Sequence, residues 1–243
     1  MRIDAQGMHY RELNALLREA VARGDSAVEI VNVNGQRYIA DGLRASIAID
    51  IHGVPGNDLC AFTDGPRVVV HGNAQDGVAN TMNSGCVVVH GDAGDVLGYG
   101  MRGGQLLVKG NVGYRVGIHM KAYGDQVPAI VVGGAAGDFL GEYMAGGTLV
   151  VLGLNGGSAP VGAWCGTGMH GGEIFVRGSL DEHLVAHRHV AVRPANGGDL
   201  DRLRPLIETF CSEFGVDSKR VLEGNFWRLA PRSSRPYGSK YAG

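Results

Sequence analysis

Glycines at positions 53, 72, 91, 110, 134, 153 and 178 each close a short apolar run, and they step by 19, 19, 19, 24, 19 and 25 residues. The runs they close read Ile51-His52-Gly53, Val70-His71-Gly72, Val89-His90-Gly91, Val108-Lys109-Gly110, Val132-Gly133-Gly134, Val151-Leu152-Gly153 and Val176-Arg177-Gly178. A second column, Met82, Met101, Met120, Met144 and Met169, keeps the same rhythm, and Val78, Leu97, Val116 and Leu140 each stand four residues before one of these methionines. A fixed period of this length is the mark of a stacked repeat, in which each unit buries its apolar side chains only against its neighbours. Nineteen residues hold two or three short strands with their turns, which is one coil of a parallel β-helix. Equivalent residues then stack at about 4.8 Å, the distance between paired strands.

Composition agrees. Glycine contributes 41 of the 243 residues, well above the roughly 7% of an average protein. The 44% of hydrophobic residues excludes a flexible linker, and the glycines lack the every-third-residue spacing of collagen. The methionine column is therefore a ladder of core thioethers, and the pairs Gly103-Gly104, Gly146-Gly147 and Gly171-Gly172 mark corners before new strands. On this alignment the insertions of five and six residues form loops at about 121–127 and 162–168. The expected fold is a mainly β, single-stranded parallel β-helix of about seven coils at residues 45–180. A helix-and-hairpin cap is expected at 1–44 and a helical cap with a basic, aromatic tail at 181–243.

Strand alternation sends Val68 and Val70, and their equivalents in each coil, to the interior. The residues between them are Val69, Val88, Leu107, Val131, Val150 and Phe175. They point outward yet are all apolar, so something must cover them. A terminal helix of the same chain and a partner subunit both fit, and these six residues form the candidate partner-docking face.

In the flanks, Leu13, Leu16, Leu17, Ala20 and Val21 give residues 9–23 one apolar helical stripe, with Gly24 closing it. Residues 28–33 and 36–40 read as strands joined by Asn34-Gly35. Leu203, Leu206, Ile207, Phe210 and Phe214 predict a helix over about 200–214, with Pro205 near its start. The tail from Asn225 carries Trp227, Arg228, Arg232, Arg235, Tyr237, Lys240 and Tyr241, an arm that folds back or docks on a partner.

Motifs that suggest chemistry fail on context. Gly98–Gly103 and Gly166–Gly171 both match G-x-G-x-x-G, but the dinucleotide fingerprint needs a helix next, and each match runs into a strand. His52, His71 and His90 stand one coil apart. Evenly stacked imidazoles suit convergent metal coordination poorly, so no metal is assigned. Asp76, Asp95 and Asp138 share a column and are expected to hydrogen-bond corner amides. No nucleophile or catalytic pair stands out, so no catalytic, cofactor-binding or metal residue is assigned. The formal charge of −2 gives no field for nucleic acid or anionic lipid. Without an apolar leader, an 18-residue apolar run or paired cysteine motifs, the expected setting is the cytoplasm, with Cys60, Cys86, Cys165 and Cys211 reduced.

The segments Gly35–Leu43, Gly53–Asp58, Gly113–Lys121 and Gly141–Gly147 resemble the C-terminal GXGXG domain of the glutamate synthase large subunit, and the likeness runs from about residue 25 to the Arg235–Gly238 tail. A weaker similarity extends to the formylmethanofuran dehydrogenase component that shares the same repeat. The resemblance implies a right-handed β-helix without catalytic residues, here as a separate polypeptide. It packs between glutaminase and FMN-binding synthase subunits and helps hold the ammonia route for glutamate biosynthesis. FMN and an iron–sulfur cluster belong to those partners. The amidotransferase's N-terminal Cys is missing, since residue 2 is Arg. An autonomous sugar-acting or acyl-transferring β-helix is the reading from another class, but an 18-residue hexapeptide coil does not match a 19-residue step.

Overall fold

A computed structural model describes residues 1–157 and 159–235. The chain is mainly β, a parallel solenoid of about six turns. Its axis is a sheet that begins with β1 (Arg2–Asp4) and β2 (Ala27–Asn34) and continues through β3 (Ala48–Val54), β4 (Asp64–Val70) and β5 (Ser84–Val89). Then follow β6 (Gln105–Val108), β7 (Ala129–Val132), β8 (Ala145–Val151) and β9 (Gly171–Arg177). All pairs from β1 to β9 are parallel. Ile49 pairs with Val68, Val68 with Val87, Val87 with Leu106, Leu106 with Ile130, Ile130 with Leu149 and Leu149 with Ile174. A second line of parallel bridges runs Ala74–Ala93–Val112–Ala136–Val161. The third side of each coil is a run of turns.

The interior is the set of columns that strand alternation picks out. Val68, Val70 and their equivalents are fully buried, and Met82, Met101, Met120 and Met144 are 0% exposed, with Met169 at 3%. Each such side chain contributes about 1.5–3 kcal/mol by leaving water, and flexible thioethers fill the narrow end of the coil without a fixed shape.

Both ends are capped. Helix α1 (Tyr10–Ala22) starts at the N-cap His9 and lays Leu13, Leu17 and Ala20 on the first coil. Its buried Asn14 donates from Nδ2 to the Tyr38 carbonyl at 2.9 Å and accepts from the Ala40 N–H at 3.0 Å, so the cap satisfies the backbone of the turn it covers. At the other end, β10 (Val190–Pro194) and β11 (Phe226–Pro231) break the parallel rule: β11 inserts antiparallel between β9 and β10 and ends the stack. Helix α2 (Gly197–Phe214) and the short α3 (Ser218–Leu222) lie between them in sequence.

Three expectations change, and the alternatives left open for the tail are resolved. Residues 36–40 form no strand: β2 pairs in parallel with β1 and β3, so Asn34-Gly35 turns a coil corner rather than a hairpin. The six-residue insertion is not at 162–168. Val132 still pairs with Val151 at a step of 19, whereas Ala136 already bridges Val161 at a step of 25, so the extra residues lie between 151 and 161. The glycine column alone could not place them, because it samples one position per coil. Helix α2 begins at Gly197, behind a capping box formed by Asn196 and Asp199, which leaves Pro205 in its interior. A missing N–H and ring clash there cost about 3 kcal/mol, and the apolar stripe flanking Pro205 offsets it. The tail folds back as β11 through Pro231; its Tyr237, Lys240 and Tyr241 lie outside the described residues.

Replacing Met101 with Asp should lower stability by more than about 3 kcal/mol, because an unpaired carboxylate would enter a dry column. Met101→Leu should cost less than about 1.5 kcal/mol. Urea denaturation of the two variants measures the difference.

Candidate functional site

The six outward residues of the sheet are the first surface to test. Val88, Leu107, Val131, Val150 and Phe175 are buried, and Val69 is half-buried at the margin. They are covered by this chain's own α2, through Leu203, Ile207, Phe210, Cys211 and Phe214. The assignment of Val69, Val88, Leu107, Val131, Val150 and Phe175 as an open partner-docking face is therefore corrected: the column points outward, but the C-terminal helix fills it. In the following outward column, Gly133 replaces the His, Lys, Leu and Arg of other coils. A Cβ there would come within 2.8 Å of Phe210 Cζ, so glycine admits the ring.

Charge holds α2 down at both ends. Asp199, 1% exposed, receives Arg193 at 2.6 Å and Arg202 at 2.8 Å. Glu173 on β9 ties Arg202 and Arg228 into the same cluster. Near the helix C-terminus, Glu213 pairs with Arg67 at 2.6 Å. The Arg193 hydrogen bond, followed by the Asn196 N–H, holds the Asp199 carboxyl down to about 2 despite its burial.

The histidine column is real but arranged for stacking. His52 and His71 lie 4.5 Å apart at 11°, and His71 and His90 lie 5.5 Å apart at 19°. Parallel rings aim their nitrogens sideways: His71 Nε2 meets Asp50 at 3.0 Å, and Phe214 stands edge-on to His90. Burial, then His71, lowers the His90 pKa. Among the described residues no cluster of three or more His, Cys, Asp or Glu is placed to hold a metal ion. Asp76, Asp95 and Asp138 accept the N–H groups of Asp95, Tyr114 and Ala163 at 2.8 Å each, one coil onward. A parallel ladder of Asn73, Asp92 and Asn111, which the sequence pattern did not single out, does the same for Asp92, Asn111 and Ala135. All four cysteines are unpaired thiols, and burial pushes Cys165 up to about 12.

The turn side holds what the sequence reading missed. The coils there make two overlapping turns: Asn80 N–H to Gly77 O and Met82 N–H to Ala79 O, both 3.1 Å, repeat as Tyr99 to Val96, Met101 to Gly98, Ile118 to Arg115 and Met120 to Gly117, while in the Asp58–Thr63 coil the Thr63 hydroxyl reaches Cys60 O instead. The third residue of each such turn has positive φ, as in Ala79 (59°), Thr81 (52°), Gly98 (62°) and Gly100 (56°), which is the geometry of type II turns. The residue that opens the pair is left-handed as well. Alternate positions of the segment are therefore left-handed, and Gly-X-Gly-X-Gly is their natural sequence.

Several coils place bulky residues there instead. Among the described residues, thirteen of the fourteen non-glycine residues with positive φ stand in these columns, including Phe62 (58°), Val96 (52°), Arg115 (55°), His119 (54°), Tyr143 (52°) and Trp164 (61°). Each costs roughly 1–2 kcal/mol relative to a right-handed residue. Many then face water: Phe62 is 52% exposed, Trp164 60%, and nearby Tyr99 and Tyr114 43% and 54%. The rings are contiguous, with Tyr99 edge-on to His119 at 5.8 Å and His119 stacked on Tyr143 at 5.3 Å. Arg115 lies 5.0 Å above Phe139 and pairs with the nearly buried Glu142 at 2.8 Å. The visible signal was the alignment of Gly98-Tyr99-Gly100 with Gly117-Ile118-His119 and Gly141-Glu142-Tyr143, where a ring replaces a turn glycine.

A stack of such paired turns on a parallel sheet defines a β-solenoid of the Gly-X-Gly-X-Gly kind. The chain belongs to the GXGXG motif family, which matches residues 19–232 and is found in the C-terminal domain of glutamate synthase. It is 45% identical to the uncharacterized protein MJ1350 of Methanocaldococcus jannaschii over 98% of this chain and 95% of that protein. It is 36% identical to protein GlxC of Rhizobium meliloti over 34% of this chain and 37% of that protein. Among the described residues no helix is long and apolar enough to cross a membrane.

Two measurements test the site. Val96→Gly should raise stability by about 1 kcal/mol, because it removes a β-branched residue from left-handed backbone, while Gly98→Val should lower it. Because the Asp199 pKa falls below its unfolded value, its contribution is present above about pH 4 and is lost as pH falls through about 2. Protection factors in α2, which correct for intrinsic exchange, should therefore fall over that window, and Asp199→Asn should already show lower protection at neutral pH.

Proposed function

We propose that this chain is a non-catalytic structural subunit of a glutamate synthase-like complex. As a right-handed parallel β-helix of about seven coils with a 19-residue step, it holds a glutaminase subunit and an FMN-binding synthase subunit. It supports the path of ammonia between them in the cytoplasm. FMN and an iron–sulfur cluster sit in those partners. The observation that carries this reading is the GXGXG family match, which extends from the last turn of α1 to the end of β11 and so takes in the coils and the C-terminal cap.

The covered sheet face and the strained, exposed turn side support it physically. The molecule uses its own helix to finish one side and leaves aromatic side chains on another, as a spacer between larger subunits needs. Purification of the tagged full-length chain from its native source should bring down a glutaminase and a flavin-bearing subunit, identified by mass and by flavin absorbance. Recovery alone or as a self-assembly overturns the proposal. Recovery with pterin-bearing subunits replaces it with a scaffold of the formylmethanofuran dehydrogenase type.

A further inference from the structure

We propose that the turn side of the middle coils, centred on Tyr99, Tyr114, His119 and Trp164 and flanked by Arg102 and Lys121, is the surface on which a protein partner docks. Its occupant is a folded subunit that presents an apolar patch bordered by carboxylates. The inference rests on the reading of the chain as a complex subunit and assigns the surface that makes the contact.

Three observations converge on it. Phe62 and Trp164 are large apolar residues on left-handed backbone, and both are more than half exposed. Strain is ordinarily offset by burial, and here the chain covers less than half of either residue, so the remaining compensating contacts lie outside it. The two lie five coil steps apart, about 24 Å at the spacing of paired strands, comparable with the reach of a standard interface patch. Trp, Tyr and Arg, the residues this edge displays, are those that dominate binding energy in protein interfaces. The 121–127 insertion extends the same edge with Tyr123, 68% exposed, closed by paired hydrogen bonds to Gln126 at 3.0 and 3.1 Å.

Charge selects the occupant. Carboxylates beside the middle coils are engaged within the chain: Asp58 with Asn80, Asp95 with the Tyr114 N–H, Asp138 with the Ala163 N–H and Glu142 with Arg115. Asp125, in the insertion, is exposed. Arg102 and Lys121 are exposed, and their side chains have no hydrogen bond or ion pair among the described residues. The cations left over beside Tyr99 and His119 are complementary to acidic groups on a partner. A nucleic acid is the weaker fit, because His119 and Tyr143 already stack on each other and leave fewer open ring faces for bases.

The test uses the full-length chain and the subunits that co-purify with it, each isolated and titrated by calorimetry. Arg102→Glu with Lys121→Glu, and separately Tyr99→Ala with Tyr114→Ala, should raise the dissociation constant by about tenfold or more. The charge variant should also lose the salt dependence of the wild type. None of these four side chains fills the core, so circular dichroism and melting should match the wild type. Arg188→Glu, remote in sequence, serves as the control with unchanged affinity. Unchanged binding by both double variants to a confirmed partner overturns this surface while leaving the subunit role intact. Absence of any partner removes both. Tight binding of a polyuridylate probe that the edge variants abolish overturns the choice of a protein occupant.

Discussion

Parallel in-register pairing of β3 to β9 is the constraint on which everything else depends. A parallel pair requires the chain to travel around and return to the same edge, so each coil must close at the same circumference as the last. Where six residues are added, they leave the wall and the register resumes: Ala136 meets Val161, and Ile174 sits over Leu149 as if nothing intervened. Buried columns enforce this, since a one-residue slip would drive Val68, Val87 and Leu106 outward and turn Arg67 and Gln105 toward the core.

Three sides of the coil solve different problems. The sheet side carries the hydrogen-bonded ladder and hides its outer apolar column beneath α2. The bridge side turns on Asp and Asn, whose side-chain oxygens accept the N–H one coil onward, so like charges in one column are each tied to backbone donors. The turn side alternates left-handed residues and carries the strain. The turn side keeps its inward Val, Leu and Met columns buried, and only its outward residues are free to differ from coil to coil.

Much of this was legible because repeats average over accidents. One glycine column gave the step, one methionine column gave an inward face, and the outward apolar column announced a cover. What stayed hidden was non-local or conformational. The sequence could not show whether α2 or another molecule covers Val88 and Val150, because that depends on where a helix distant in sequence returns. Asn34-Gly35 suits a hairpin as well as a coil corner, and only the pairing of β2 with β1 and β3 decides. The turn-side edge escaped because strain has no one-letter code: Val96, His119 and Trp164 stand out only once they are known to occupy columns that glycine fills elsewhere.

Gly133 has a further consequence. Solenoids commonly grow or shrink by whole repeats, since every unit offers its neighbour the same surface. Here Phe210 seats over one glycine in a column otherwise filled by larger side chains, while the same helix is tethered near both ends, to β9 through Glu173 and to β4 through Arg67. Duplicating or deleting a coil between those anchors would move the notch away from its ring and stretch the tethers by a strand spacing. The C-terminal helix therefore acts as a ruler, and the tower it measures is fixed in height.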